Sequence, residues 1–450
     1  MHCDAAATAW KAQNPPAALF RRHNRSLNYT DPAFRVSVID CIVTVSIPMV
    51  LAVPIGSPNQ EAIEGSTDVL STEPVALLIN IIMRHQQPQF AAAQTHLPRM
   101  RCLLSAPNEP HRDYAPDFSS LDVAVQKCWT FRKTWKHSAG FADHLNVHVP
   151  YDTLAQLRRM RPKAILSFEL GFRTLCAAVY RRNRRGCGLA VVVNESEHTA
   201  NSWGLARRML RPALLKSADI VTFNGNSGRR YLRDRMGVPE EKLRHMPYAA
   251  HPRMLFGGDT LRPASLRHKL LYVGQLTERK NPVVFLRSLR RWCEDHPARV
   301  VELSVVGRGP LLEQLGAVVR PANLRVDILG SLPPDELPAV YASHGILVFP
   351  TLADEWGLVL DEAMHSGLPG LSSVYAQSTI DLISEGENGW SFASDDDAAT
   401  YAAINRAMHS SVEKVDRMAA AARASVAHRT PEWAGRLLAE AATAAVERTA

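Results

Sequence analysis

At 450 residues and 49.8 kDa the chain is too long for one compact core, so two domains are the natural expectation. Hydrophobic residues make up 46% and charged residues 21%, the balance of a soluble globular protein rather than of a disordered, fibrous or multispan membrane one. The net charge of +8 is concentrated: residues 152–253 hold 20 Lys/Arg against 8 Asp/Glu. An anionic membrane surface, a phosphorylated lipid or nucleic acid would each answer that excess, as would solvated helix faces. Seven scattered cysteines (Cys3, Cys41, Cys102, Cys128, Cys176, Cys187, Cys293) include no C-x-x-C and no zinc spacing, which points to free thiols in a reducing cytoplasm.

In chain order, residues 1–71 read as an extension, disordered to about Arg35 for want of an apolar period. The apolar run 36–56 just reaches the length of a membrane span. Asp40, Pro48 and Pro54 argue against that reading, and Met49 would serve as an alternative start. From Val75 the chain alternates short β-rich runs with helical stretches. Strands are expected at 75–82, 101–105, 164–168, 189–194 and 220–224. Helices are expected at 88–97, 153–160, 206–216 and 228–236. A Pro/Gly-bearing linker is expected at 247–267. Beyond it, strands at 270–274, 300–306, 324–329, 346–350, 370–373 and 390–392 alternate with helices at 282–294, 310–315, 334–343, 356–366 and 379–385. The expected fold is therefore α/β, with two parallel-sheet domains at 72–255 and 256–450. The last helix, 431–448, is expected to pack back on the first domain. In such sheets ligands bind beyond the carboxyl ends of the strands.

The densest chemistry lies in 349–367, FPTLADEWGLVLDEAMHSG. A helix from about Trp356 would put Asp354 at its N-cap and Glu362 nearly two turns inside. Side chains lean toward the helix N-terminus, so Glu362 could reach back beside the first turn. The amides of Trp356, Gly357 and Leu358 would be free to receive a phosphate, with Gly357 permitting close approach. On periodicity alone, an N-cap aspartate with two surface acids is the commoner explanation.

The segment resembles the E-x7-E signature of group 1 (family 4) retaining glycosyltransferases of GT-B fold, with Asp354 and Glu362 in the acidic positions. Glu355 is the rival in register. The resemblance implies two Rossmann-like domains facing a central cleft, with Asp354 contacting donor-sugar hydroxyls and Glu362 the ribose. YVGQLTERKNP (272–282) resembles the family's phosphate-binding turn, with Lys280 at the lysine position. Gln275, after Gly274, replaces an arginine, so Arg279 would share the phosphate. VVGRGPLLEQL (305–315) and ILGSLPPDELPAVYASHGILVFPT (328–351) match the next two units. In the second, the loop near Leu332 would meet the base. GLPGLSSVYAQSTIDLISEGENGWSF (367–392) resembles the closing segment, with Asp381 where Glu is commoner.

The first half matches less closely. His198 stands where the family places a site histidine, with Glu195 and Glu197 near enough in sequence to orient it. Glu169, Arg173, Arg84 and His85, at strand exits, are the acceptor-side candidates. The resemblance implies transfer from a UDP- or GDP-sugar to a saccharide or lipid-linked saccharide, in surface polysaccharide synthesis. No D-x-D triplet is poised for a metal, so neither metal nor cofactor is expected, and Asp395–Asp397 reads as a helix start. Partners would be the nucleotide-sugar, the saccharide acceptor and an anionic membrane surface, not nucleic acid. The protein would be cytoplasmic and peripheral at the inner membrane face. A non-catalytic sugar-nucleotide-binding scaffold, or an epimerase or phosphorylase of the same fold, would carry similar motifs.

Overall fold

The computed structural model describes residues 70–449 apart from 109–116, 138, 201–204 and 251–262. The apolar run 36–56 and most of the linker lie outside these residues.

The first lobe begins with β1 (Val75–Ile79), α1 (Gln86–His96), β2 (Met100–Leu104) and β3 (Val123–Val125). A two-stranded ribbon follows, β4 (Cys128–Lys136) and β5 (Ala142–Pro150). Then come α2 (Thr153–Met160), β6 (Ala164–Phe168), α3 (Phe172–Arg182), β7 (Gly188–Val192), α4 (Leu205–Ser217), β8 (Ile220–Phe223), α5 (Asn226–Arg230) and β9 (Leu243–His245). Seven strands form a parallel sheet in the order β3-β2-β1-β6-β7-β8-β9. Strands β1, β6, β7 and β8 are buried at every position. Burial on both faces is why they read as continuous apolar runs without alternation.

The second lobe contains β10 (Leu270–Val273), α6 (Pro282–Asp295), β11 (Val301–Val306), α7 (Leu312–Gly316), β12 (Leu324–Gly330), α8 (Leu337–Ala342) and β13 (Ile346–Phe349). It continues with α9 (Leu358–His365), β14 (Gly370–Ser373), α10 (Gln377–Leu382), β15 (Gly389–Phe392), α11 (Asp397–Met408) and α12 (Val412–Val426). Its sheet is parallel, in the order β12-β11-β10-β13-β14-β15. Each sheet starts in its middle, runs to one edge, and resumes on the other side of its first strand. The switch points, between β1 and β6 and between β10 and β13, open crevices at the carboxyl ends of the strands.

The last helix, α13 (Pro431–Glu447), leaves the second lobe and packs on α1, β6 and β7 of the first. Its Thr430 cap accepts from the Trp433 amide at 3.2 Å, and proline occupies the first turn, where its missing N–H is no loss. Gly435 lets it approach α1 closely. A Cβ there would lie 2.7 Å from the Ala93 nitrogen and 2.7 Å from the Gln89 carbonyl oxygen.

Sequence and structure part company in the ribbon, in β3 and β9, and in α12, none of which the sequence pattern singled out. Asp396 does cap α11, accepting from the Ala399 amide at 3.0 Å, as the Asp395–Asp397 run suggested. The five cysteines among the described residues are unpaired. No helix among the described residues is long and apolar enough to cross a membrane.

Candidate active site between the lobes

The crevice of the second lobe is built by the turns leaving β10 and β13, and backbone contacts hold the two together. The Leu352 amide donates to the Arg279 carbonyl at 2.8 Å, and the Thr351 hydroxyl donates to the same oxygen at 3.1 Å. After β10 the chain makes a 3-10 turn at Glu278–Lys280, which left-handed Asn281 (φ 56°) ends before Pro282 opens α6. The turn leaving β11 presses against this loop: a Cβ on Gly307 would fall 1.8 Å from the Gly274 carbonyl oxygen, so glycine is required there. Gln275 is exposed, and its carbonyl accepts from the Tyr272 hydroxyl at 2.8 Å.

Lys280 forms an ion pair with Asp354 across the crevice, and Arg279 stands 3.8 Å from the same carboxylate. Burial would raise the Asp354 carboxyl, but Lys280 and Arg279 outweigh it and hold the group below its ordinary range. Lys280 and Asp354, 74 residues apart, are thus brought together. Lys280 also lies 5.2 Å over the Phe349 ring.

The helix itself starts later than the sequence implied. Gly357, at φ 95°, is the N-cap residue of α9, and a Cβ on it would meet the Phe349 ring at 2.4 Å. Asp354 therefore lies ahead of the cap, and the Trp356 amide, expected to be free, is turned onto the Asp354 carboxylate at 3.4 Å. The physical reason is Trp356. Its indole is buried, with Nε1 donating to Asp361 at 3.3 Å and the Arg429 guanidinium 4.6 Å above the ring, which draws the backbone inward before the helix can begin. Leu358 becomes the first helical residue.

Glu362 accepts from the Tyr341 hydroxyl of α8 at 2.9 Å. Leu332 packs in the apolar cluster that contains Tyr341. Burial is the main reason the Glu362 carboxyl rises to about 7, with Asp361 adding to it and the Tyr341 bond opposing it. The folded chain therefore binds a proton that the unfolded chain releases near pH 4.5, so this group's contribution to stability is lost as pH rises through 7. Glu362→Gln is expected to raise the stability of the unliganded chain at pH 8 by about 1–3 kcal/mol, with no gain at pH 4. Urea unfolding at the two pH values would check this, and an equal change at both would refute it.

The first lobe faces this crevice. His198, partly buried, meets the Tyr375 ring edge-on at 5.2 Å, and its carbonyl is bonded by His137 at 2.9 Å. Burial lowers its pKa, keeping the ring neutral near pH 7. Neither nearby acid hydrogen-bonds the ring, contrary to the sequence expectation. Glu195 pairs with buried Arg211 at 2.6 Å, and Glu197 with Arg230 at 3.0 Å, because the arginines of α4 and α5 compete for them. Gln377 ties the lobes together. Its amide donates to the Asn194 carbonyl at 3.1 Å, the Asn224 side chain at 2.8 Å and the Glu355 carbonyl at 2.6 Å, and its oxygen accepts from the Gly228 amide at 2.8 Å. Asp381 accepts from the Asn226 amide at 2.9 Å.

Glu355 is exposed, near Glu195 and Glu169 of the first lobe and Asp354 of the second. Desolvation, then repulsion from Glu195, Glu169 and Asp354, pushes it up to about 8. Glu169, at the exit of β6, adopts a left-handed conformation (φ 67°) uncommon outside glycine and asparagine. It accepts from Asn80 at 2.8 Å and from Arg173 at 3.3 Å. Arg173 is itself buried and donates to Ser105 at 3.0 Å and to the Phe168 carbonyl at 3.0 Å, so it orders the strand exits rather than facing the cleft. His85 lies edge-on to Tyr248 at 5.3 Å, while neighbouring Arg84 is exposed. Tyr341, Tyr375, Asn224, Gln377 and Tyr248 had no local signal in the sequence. Each matters only through a partner far along the chain.

Residues 262–425 match the family described as glycosyl transferases group 1. An α-1,4-N-acetyl-D-galactosaminyltransferase of Campylobacter jejuni, whose named substrate is a GalNAc-containing diNAcBac-PP-undecaprenol, is 26% identical over 130 residues, 29% of this chain and 35% of the relative. The D-inositol 3-phosphate glycosyltransferase of Corynebacterium glutamicum is 24% identical over 204 residues, covering 41% and 47%. The chain thus spans about a third to a half of the length of these curated relatives. Among solved structures, Anabaena HepE in complex with UDP aligns with a TM-score of 0.60 at 15% identity, over 82% of this chain and 98% of that one. WaaG, a glycosyltransferase involved in lipopolysaccharide biosynthesis, aligns with a TM-score of 0.56 at 14% identity, over 82% and 99%. Residues 262–425 thus match the group 1 glycosyl transferases, and the two facing parallel sheets have the GT-B fold.

Proposed function

We propose that this chain transfers a sugar from a UDP- or GDP-sugar to a hydroxyl of a saccharide or lipid-linked saccharide, with retention and without a metal or cofactor. The observation that supports it best is the Lys280–Asp354 ion pair in the β10/β13 crevice. In the unliganded chain these charges neutralise each other. A donor diphosphate would draw Lys280 and Arg279 to itself and release Asp354 toward the sugar hydroxyls, while Glu362 receives the ribose hydroxyls. The bond from the anomeric carbon to the phosphate oxygen breaks, and the electron pair stays on the diphosphate. The acceptor oxygen bonds to the carbon on the same face, and its proton leaves with the diphosphate. His198, neutral, would bond to a sugar hydroxyl near that face.

In this reading residues 256–450 hold the donor and residues 72–255 the acceptor, with Glu169 and Glu355 nearest the acceptor end. The lipid-linked substrate named for the Campylobacter relative supports a cytoplasmic protein, peripheral at an anionic membrane face, in surface polysaccharide synthesis. A thermal-shift panel of UDP-, GDP- and ADP-sugars tests the donor assignment. A ligand at a hundred times its Kd stabilises by about 2.7 kcal/mol, enough to raise the midpoint by a readable amount. One base class should do so, with EDTA making no difference. No shift with any of the three would sink the proposal, and a shift abolished by EDTA would remove its metal-free part. Proton NMR of the first product formed would report whether the anomeric configuration is kept.

A further inference from the structure

On the first lobe, the outward face of α3 is apolar where a solvated helix would be polar. Phe172, Leu175 and Val179, at i, i+3 and i+7, are 38%, 37% and 41% exposed. The β5 strand of the ribbon packs beside α3. In β4 and β5, Trp129 pairs with Val149 and Phe131 with Val147, so these four share one face. Trp129 and Phe131 are 59% and 57% exposed, and Tyr151 lies 5.0 Å from the Trp129 ring.

Cations border this apolar surface. Residues 153–194 carry nine Lys/Arg and a single acid, Glu169. Where α2 meets α3, a crevice of ≈ 300 Å³ is lined by Arg158, Arg161 and Arg184 together with Leu154, Val179 and Tyr180. Among the described residues no carboxylate pairs with these three arginines. On the ribbon, Lys133 is exposed on the same face as the aromatic pair.

We infer that this face of the first lobe, formed by α3, the α2/α3 arginine crevice and the aromatic side of the β4–β5 ribbon, docks on an anionic lipid bilayer. Aromatic and aliphatic side chains enter the interfacial layer, and arginines meet lipid phosphates at the same depth. A second copy of this chain fits poorly, because self-complementary pairing would set the two arginine rims against each other. The placement also serves the site. Phe172 follows Glu169 by three residues, so the apolar stripe begins at the exit of β6, and β5 runs beside the Glu278–Lys280 turn. An acceptor carried on a lipid would enter the cleft from the surface that holds the protein. The inference rests on the proposal that the acceptor is presented at a membrane, and it names the surface.

The full chain is floated with vesicles of phosphatidylcholine alone and of phosphatidylcholine mixed with phosphatidylglycerol. Only the mixed vesicles are expected to carry it, and less of it at high salt. The double substitution Leu175→Glu, Val179→Glu puts two carboxylates on the apolar stripe and is expected to cut binding about tenfold. Trp129→Ala with Phe131→Ala, should the first variant unfold, is expected to weaken it about threefold. Both variants should keep the donor-induced thermal shift of the parent. If the parent stays down with both vesicles, the membrane part of the proposed function fails while sugar transfer stands. If the parent floats and a folded variant floats equally well, this surface is wrong and the membrane reading survives. A dimer in vesicle-free buffer that either variant dissolves would assign the face to a second copy and overturn the inference.

Discussion

Lys280→Met is expected to lower the transfer rate by about 10²–10³-fold, the usual effect of removing one charge positioned against a developing anion. Methionine keeps the length and apolar stem of lysine, so the loss would report on the ammonium rather than on packing. The unliganded chain should suffer too, because Asp354 would keep only the Trp356 amide at 3.4 Å and Arg279, 3.8 Å away. Breaking a fully buried pair costs about 3–5 kcal/mol, and with the second cation remaining the loss here should be nearer about 2 kcal/mol.

Its pH dependence is distinctive. The Asp354 carboxyl is held below its ordinary value, so its stabilising contribution is present above about pH 4 and disappears as pH falls through the depressed value. In Lys280→Met that contribution is mostly absent, and acid unfolding should move to higher pH. Lys280→Arg should recover part of the rate, since the charge returns on a longer, planar head. A methionine variant transferring sugar within threefold of the parent would exclude the ammonium from the reaction.

The largest loss of stability is expected from Arg429→Met, about 3–5 kcal/mol. Arg429 is 4% exposed and bonds Asp361, itself fully buried, at 2.9 Å. Its guanidinium lies between the rings of Trp356 and Trp433, 4.6 Å and 5.3 Å away, and donates to the Tyr248 carbonyl at 2.9 Å. One side chain thereby joins α9, the start of α13 and the end of the first lobe. Without it Asp361 keeps the Trp356 indole N–H at 3.3 Å and His365 at 3.5 Å, and burial lowers the His365 pKa.

Adding Asp361→Leu to Arg429→Met should restore much of the loss, because removing both members of a buried pair does not strand a charge. Urea unfolding of the two variants and the parent would decide this. A single-variant loss below about 1 kcal/mol would show that the pair contributes little. Because the residue joins the lobes, the variant is also expected to unfold in two separated transitions where the parent unfolds in one.

The sequence by itself determined the α/β alternation, since strands covered on both faces must be apolar throughout and β1, β6, β7 and β8 are buried at every position. Only the family resemblance grouped Lys280, Asp354 and Glu362; the sequence by itself showed which turns carry charge and glycine beside the strand exits. These are local properties, readable from period and spacing.

It did not show the ribbon, whose one exposed face breaks the buried-strand pattern, nor where α9 begins, because Trp356 is drawn inward by Arg429, 73 residues later. The partners of Glu195 and Glu197, the seat of His198 against Tyr375 and the Gln377 bridge were also decided only by tertiary structure. The glutamate pairs depend on how α4 and α5 pack within the first lobe, and the His198 seat and the Gln377 bridge on which loops the two sheets bring face to face, contacts more than a hundred residues apart that no local periodicity encodes.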